Sequence, residues 1–165
     1  MYRFHLCESA SACGWCKKGA VGHETNREIG ASRGGKNIKI HAVVDSLGNP
    51  VYLQLSQGNI NDCSVAIDVL SHLHIAGSMV LGDRGYDTDE FLIYIENQDA
   101  RHTIPPKSNR VYQRKRDWWL YKERHLVECF FNKLKHFRPV ATRYDKLAKS
   151  FFAFVLLACI SILLK

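Results

Sequence analysis

Two short stretches in the first half of the chain alternate between apolar and polar residues. Residues 38 to 44 (IKIHAVV) and 51 to 56 (VYLQLS) repeat with a period of two, which is typical of strands with one buried face. The residues between them, DSLGNP, favour a turn, and Asp45 is interpreted as part of that turn. The pattern therefore predicts a β-hairpin.

Helices and strands alternate after this hairpin. The predicted elements are a helix at 61 to 74, a strand at 78 to 83, a helix at 88 to 97, a strand at 101 to 106, and helices at 118 to 136 and 145 to 164. Asn61 or Asp62 can cap the first helix, and acids in the first turn favour the second. This order predicts an α/β protein with a mixed sheet flanked by helices.

The length of 165 residues suits a single domain. Residues 6 to 36 are rich in Gly, Ser, Lys and Arg and lack periodicity, which predicts a loop or an exposed hairpin. We therefore divide the domain into a loop or hairpin region at 1 to 36 and a core at 37 to 165.

The uncharged run at 150 to 164, SFFAFVLLACISILL, has two interpretations. It has 15 residues, fewer than the roughly 20 that cross a bilayer. The prediction is therefore a buried terminal helix and no membrane association, with a membrane anchor as the alternative. The first residues show no apolar signal segment, which favours the cytoplasm of the cell.

The cysteine spacing argues against a redox or zinc-binding function, and the net charge favours a function that involves a polyanion. Cys13 and Cys16 have the spacing of a redox dithiol or of half a zinc site, but the sequence has no second such pair and no thioredoxin-like pattern around it. The net charge of +7 is concentrated between residues 101 and 149 and favours a polyanionic partner, although a solvated cationic surface is also possible.

A polar row lies on one face of the predicted helix at 118 to 136. At about 100° per residue, Tyr121, Arg124, Glu128 and Lys135 share that face, while apolar residues occupy the other. The alternative interpretation is an ordinary solvated face with one pair between Arg124 and Glu128.

Asp83 is the second candidate for chemistry. It ends an apolar strand between Gly82 and Gly85, at the position where open α/β sheets present functional groups. Asp83 and Glu128, brought together from a strand end and a helix, would be two ligands of a divalent metal in a basic protein. The usual two-metal arrangement needs a third acid.

Four segments of the chain together resemble a known family. They are VLGDRGYDTDEF at 80, RHTIPPKSNR at 101, LYKERHLVECFFNKLKHFR at 120 and ATRYDK at 141. Through them the chain is similar to the DDE transposases of bacterial insertion sequences, in the subgroup marked by Tyr-x2-Arg-x3-Glu-x6-Lys. Tyr121, Arg124, Glu128 and Lys135 match that spacing. The resemblance runs from about Gly30 onward and includes SRGGKNIKIHAVVDSLGNP, which looks like the segment between the first and second acids.

The resemblance implies an RNase H-like fold in which three acids bind two Mg²⁺ or Mn²⁺ ions. Asp83 would be the second acid and Glu128 the third. Water would cleave a phosphodiester at the end of the element, and the freed 3′-hydroxyl would attack target DNA. Arg124 and Lys135 would contact DNA phosphates near the cut, and Tyr121 would support or stack at the strand end. Apart from the resemblance, the charge of the basic loop at 107 to 116 makes Arg110 and Arg114 further candidates for phosphate contacts.

The first acid of the family is not found at its expected place. It should lie on the first, central strand, shortly before an Arg-x-His pattern that Arg3 to His5 preserve, which would place it ahead of Met1. We therefore expect the C-terminal part of a transposase that lacks the central strand and leaves a neighbouring strand unpaired. Such a chain would be inactive alone, prone to aggregation or dependent on an upstream fragment, and its partners would be DNA and further copies of the chain. The main alternative is a catalytically inactive DNA-binding remnant.

Overall fold

The computed structural model describes residues 3–7, 12–13, 30–32, 35–110, 114, 117–142 and 147–164. The strands are β1 (Arg3–Cys7), β2 (Ala12–Cys13), β3 (Gly30–Ser32), β4 (Gly35–Val44), β5 (Pro50–Gln57), β6 (Met79–Leu81) and β7 (Arg101–Thr103). The helices are α1 (Asp62–Ser71), α2 (Asp89–Asn97), α3 (Trp118–Lys122), α4 (His125–Lys135), α5 (Arg138–Ala141) and α6 (Ala148–Leu163).

The predicted hairpin is confirmed as β4 and β5, which pair antiparallel from Ile38 opposite Gln57 to Val43 opposite Tyr52. Asp45 forms the turn as expected, because one carboxylate oxygen accepts hydrogen bonds from the N–H groups of Leu47 (2.8 Å) and Asn49 (2.9 Å). The turn also uses Gly48 at φ +82°, a conformation that side chains other than glycine rarely adopt.

The central strand is present, which corrects the prediction that it is missing. β1 pairs antiparallel with β4 and parallel with β6, so residues Arg3–Cys7 lie in the middle of the sheet. Without a strand there, β4 and β6 would each bury unpaired N–H and C=O groups, which is costly. Among the described strands, therefore, the unpaired edge expected beside a missing central strand does not occur.

The sheet is mixed, as predicted. From β4 the order continues through β1 and β6 to β7, with β6 and β7 parallel, and β5 pairs with β4. The region predicted as a loop or hairpin contributes more strand than expected: β2 and β3 both pair antiparallel with β4. The remaining residues between 8 and 34 lie outside the described part of the chain.

Hydrophobic residues on both faces of the sheet form two clusters, as alternation along β4 dictates. Val43 faces one cluster with α1 and α2, whereas Ala42 and Val44 face the other with α4, α5 and α6. The sheet therefore lies between two helical layers. This arrangement confirms the predicted α/β class with helices flanking a mixed sheet.

The predicted helix at 118 to 136 is two helices, which corrects that boundary. The N–H groups of Glu123, Arg124, Leu126 and Val127 each donate to the carbonyl three residues earlier, so the helix tightens between α3 and α4. A further short helix, α5, was not predicted, since Pro139 near its start and its four residues give little periodic signal.

The predicted buried terminal helix is buried on one side only. In α6, Phe151, Val155, Ala158 and Cys159 pack into the core, while Leu157 and Ile160 are more than half exposed. Burial raises the pKa of the Cys159 thiol to about 11, so this cysteine is structural rather than reactive. Within the described residues, none of the helices is both apolar enough and long enough to traverse a bilayer.

Candidate active site

Asp83 follows the C-terminal end of β6, where the chain leaves the sheet. Its side chain caps the short turn Arg84–Tyr86, and one carboxylate oxygen accepts a hydrogen bond from the Arg84 N–H at 3.1 Å. Gly82 permits this geometry, because an added Cβ would approach Ile104 to 3.3 Å. The Asp83 side chain is about half exposed, at 49%. It is therefore held at the sheet edge and still accessible.

Glu128 lies on the first turn of α4, on the side away from the sheet. Val127, Phe130 and Leu134 are buried against the sheet, so the helix is anchored by its apolar face. The side chain of Glu128 is 49% exposed. The predicted division of this helix into a core face and a polar face is thus confirmed.

Arg124 brings the two acids together. One guanidinium nitrogen, Nη2, lies 2.6 Å from Oε1 of Glu128, and the other, Nη1, lies 3.6 Å from Oδ2 of Asp83. The acids come from positions 45 residues apart, yet they share a single cation. The cation keeps the two carboxylates close by offsetting their mutual repulsion.

Tyr121 and Lys135 occupy different parts of the polar row. The Arg124 guanidinium lies 5.8 Å from the centre of the Tyr121 ring, within the range of a cation–π contact. Lys135 is exposed in the last turn of α4, seven residues after Glu128 and therefore about 10 Å further along the helix axis. The row extends from the acids in both directions along α3 and α4.

Arg110 and Arg114 converge on Asp87. The Asp87 side chain is fully buried and accepts hydrogen bonds from Arg110 Nε (2.8 Å), from the backbone N–H of Lys107 (2.7 Å) and from Arg114. Arg110 also pairs with Asp89 at 2.5 Å. Asp87 therefore anchors the basic loop next to the turn that carries Asp83.

This role of Asp87 was not predicted from the sequence. Thr88 is the cap of α2, because its hydroxyl accepts from the Phe91 N–H at 3.4 Å. Burial alone would raise the pKa of Asp87, but the Lys107 N–H and the two arginines outweigh it and hold the pKa below its ordinary value of 3.8. A signal was available in the sequence: a second acid after Asp83 and several cations in the loop.

Glu123 was also missed. It pairs with Arg3 of β1 and thus ties the turn between α3 and α4 to the central strand. Because Glu123 directly precedes Arg124, the ion pair between Arg3 and Glu123 also helps to position Arg124 relative to the central strand. The contact joins residues 120 positions apart, so no local sequence pattern could reveal it.

Comparison with known proteins decides the family. The model of the transposase DDE domain matches residues 10–163 of the chain. This chain belongs to the DDE transposase family. A Brucella ovis protein that carries the name of a putative transposase for insertion sequence element IS6501 is 42% identical over 128 residues, which are 77% of this chain and 98% of that relative.

Two solved structures show weaker likeness to this DDE transposase chain. A piggyBac transposase in a synaptic complex with hairpin DNA matches at a TM-score of 0.47 and 11% identity, over 66% of this chain and 24% of the other. A chain of the simian T-cell lymphotropic virus intasome in complex with PP2A regulatory subunit B56 gamma matches at 0.49 and 14%, over 93% and 46%. At these scores neither likeness decides the fold or function of this chain.

Membership of the DDE family implies use of a divalent metal. Asp83 and Glu128 fit one such ion, since Mg²⁺ is commonly held by one or two carboxylates together with waters and substrate phosphates. Within the described residues, no three His, Cys, Asp or Glu side chains form a metal-binding group. The two acids thus suit a single hard cation, and the donor set falls short of a two-ion site.

Proposed function

We propose that this chain is catalytic machinery of an insertion-sequence transposase that cleaves and joins DNA, with Asp83 and Glu128 as metal ligands. The observation that supports it most is that Arg124 contacts both carboxylates, which places two accessible oxygen ligands around one cationic position. A divalent ion held there would polarise the phosphodiester and activate the attacking oxygen. The role of the two acids would be to hold that ion beside the C-terminal end of β6.

The remaining members of the row bind DNA in this proposal. Arg124 neutralises the two acids, and if their carboxylates held a metal its guanidinium would contact a DNA phosphate instead. Tyr121 supports the arginine through its ring, and Lys135 holds a phosphate farther along the strand. Arg110 and Arg114, anchored by Asp87, extend the same cationic surface. Tyr121, Arg124, Glu128 and Lys135 fit the Tyr-x2-Arg-x3-Glu-x6-Lys spacing, and the RNase H-like core that this subgroup implies is part of the proposal.

The central strand of this chain supplies no acid. Strand β1, Arg3–Cys7, contains neither aspartate nor glutamate. Arg3 pairs with Met79 and His5 with Leu81, so continuing that register by two residues sets position 7 beside Asp83. In the family the first acid lies on the central strand. We therefore propose that this chain, by itself, has little or no activity on DNA.

The rival proposal is a DNA-binding remnant without catalysis, and the net charge of +7 supports it equally. A measurement of Mn²⁺ binding distinguishes the catalytic proposal from the DNA-binding remnant. At a Mn²⁺ concentration about ten times Kd, binding would add ~1.4 kcal/mol to the free energy of unfolding. We expect a rise in Tm of about 4 °C, measured by thermal unfolding without DNA.

The variants Asp83→Asn and Glu128→Gln should each abolish most of that rise, because each removes one of two carboxylate ligands. Glu90→Gln, an exposed acid in the first turn of α2, is the matched control and should respond like the unaltered chain. An equal rise in Tm in all four proteins would exclude the proposed metal site.

A gain of binding is expected from Cys7→Asp. In the backbone register of β1 and β6, continued by two residues, position 7 falls beside Asp83, so an aspartate there would add a third carboxylate next to the proposed metal ligands. A third carboxylate should tighten Mn²⁺ binding by about tenfold, since three acids complete the family's donor set. Isothermal titration calorimetry measures the change.

The same substitution in the Asp83→Asn background controls for nonspecific binding of the added charge. If Cys7→Asp tightens Mn²⁺ binding equally with and without Asp83, the two positions do not share an ion and the assignment of position 7 is wrong.

A further inference from the structure

Two indoles next to the proposed active site remain in water. Trp119 is 80% exposed and Trp118 is 58% exposed, both on α3. Folding has left more than half of each of these residues exposed to solvent, although tryptophan has the most apolar area to gain by burial. Their position therefore serves something other than the core of this chain.

The local structure fixes the start of α3 and the ring of Trp118 relative to the polar row. Asp117 caps α3, because its carboxylate accepts from the N–H groups of Trp119 (2.9 Å) and Leu120 (3.3 Å). Trp118 meets the Tyr121 ring edge to face, with centroids 6.4 Å apart. A continuous series of contacts thus runs from Trp118 through Tyr121 to Arg124 and the two acids.

A cation accompanies the more exposed ring. The Lys122 ammonium lies 4.8 Å from the centre of the Trp119 ring. An exposed aromatic face flanked by a cation is the arrangement that binds single-stranded nucleic acid, in which bases stack on the ring and phosphates approach the cation. A duplex cannot use such a platform, since its bases are already stacked on one another.

We propose that Trp119, with Trp118 beside it, is a stacking platform for unpaired bases of the DNA strand at the site. This rests on the proposed function, because it takes DNA as the substrate of Asp83 and Glu128. Binding the unpaired end here would keep the strand along α3, with its backbone directed towards Arg124. Trp118 and Trp119 are therefore positioning residues for the strand rather than catalytic residues.

The test measures binding of the full chain to fluorescent oligonucleotides in EDTA, so that no metal takes part. The probes are a thymidine oligonucleotide of roughly 12 nucleotides and a duplex of the same length. Trp119→Ala should weaken single-strand binding by about tenfold, since one stacked base is lost, and should change duplex binding by less than about twofold. Trp119→Phe should retain most of the single-strand affinity.

Leu47→Ala is the control variant, because Leu47 is a comparably exposed apolar residue, at 78%, on the turn between β4 and β5 rather than on α3. Circular dichroism and Tm verify that each variant is folded. Unchanged single-strand binding by folded Trp119→Ala overturns the platform. So does an unchanged affinity joined to a loss of self-association in sedimentation, which would make the indoles a protein contact.

The two proposals fail separately. Tryptophan-dependent single-strand binding together with a Mn²⁺ response that ignores Asp83 and Glu128 would keep the platform and reject the metal site. A Mn²⁺ response that depends on Asp83 and Glu128, together with unchanged single-strand binding by Trp119→Ala, would keep the metal site and reject the platform.

Discussion

Asp87→Asn should lower the free energy of unfolding at pH 7 by about 3 kcal/mol, because it leaves two arginines facing a neutral amide in a buried position. The Asp87 carboxylate is fully buried and is the common partner of Arg110, Arg114 and the Lys107 N–H. Both arginines are partly exposed and can regain some water, which places the loss at the lower end of the range for broken buried pairs. Urea unfolding of the two proteins measures it.

The effect of Asp87 should depend on pH in a defined direction. Its pKa in the folded chain is lowered below the ordinary 3.8, so the stability it contributes is complete above pH 3.8. That contribution is lost as the pH falls below this value and the folded carboxylate takes up a proton. The difference between Asp87→Asn and the unaltered chain should therefore shrink below pH 3.8.

Asp89→Asn is the matched control, since Asp89 pairs with the same Arg110 but is 75% exposed. An exposed pair contributes less than about 1 kcal/mol. If Asp87→Asn lowers the free energy of unfolding no more than Asp89→Asn does, Asp87 is not the anchor of the basic loop.

The second large effect is acid destabilisation through His41. This side chain is 3% exposed within the hairpin of β4 and β5, and its Nε2 lies 2.7 Å from the Ser56 hydroxyl. Burial lowers its pKa from 6.5 to about 4, and the charge of nearby Lys39 adds to the shift while Asp62 opposes it. The folded chain thus keeps His41 neutral where the unfolded chain would protonate it.

The sign follows from proton uptake. Between pH 6.5 and about 4 the unfolded chain binds a proton that the folded chain does not, so lowering the pH favours unfolding. Integrated over that window, His41 alone should remove about 3 kcal/mol of stability. Urea unfolding at a series of pH values measures the slope.

His41→Gln should flatten this slope, whatever it costs at pH 7, because glutamine does not titrate. His74→Gln is the control, as His74 is exposed just after α1. A slope between pH 6.5 and 4 that is the same in His41→Gln and the unaltered chain would refute buried, neutral His41.

Local patterns predicted most of the elements. Period-two alternation located β4 and β5, and the caps at Asn61 and Thr88 agree with the predicted starts of α1 and α2. The errors lie where tertiary structure overrides local signal. The helix at 118 to 136 tightens between α3 and α4, and α6 leaves part of its apolar surface in water.

The candidate site divides in the same way. Helical spacing was enough to group Tyr121, Arg124 and Glu128, because residues three and four apart meet on a helix. The approach of Asp83 to Arg124 joins a strand end to a helix over a long stretch of chain, so the sequence supported it only as a hypothesis of a metal site, strengthened by the family resemblance. The anchoring of Arg110 and Arg114 by Asp87 was not expected at all.

The sequence by itself determined the hairpin, the amphipathic helices and the spacing of the polar row, since these depend on neighbours along the chain. Only the tertiary structure decided that Arg3–Cys7 occupies the central strand, that Asp87 is a buried anchor and that Trp119 remains exposed. The physical reason is that pairing, burial and desolvation depend on which distant segments meet. Those meetings are set by the packing of the whole sheet and its two helical layers.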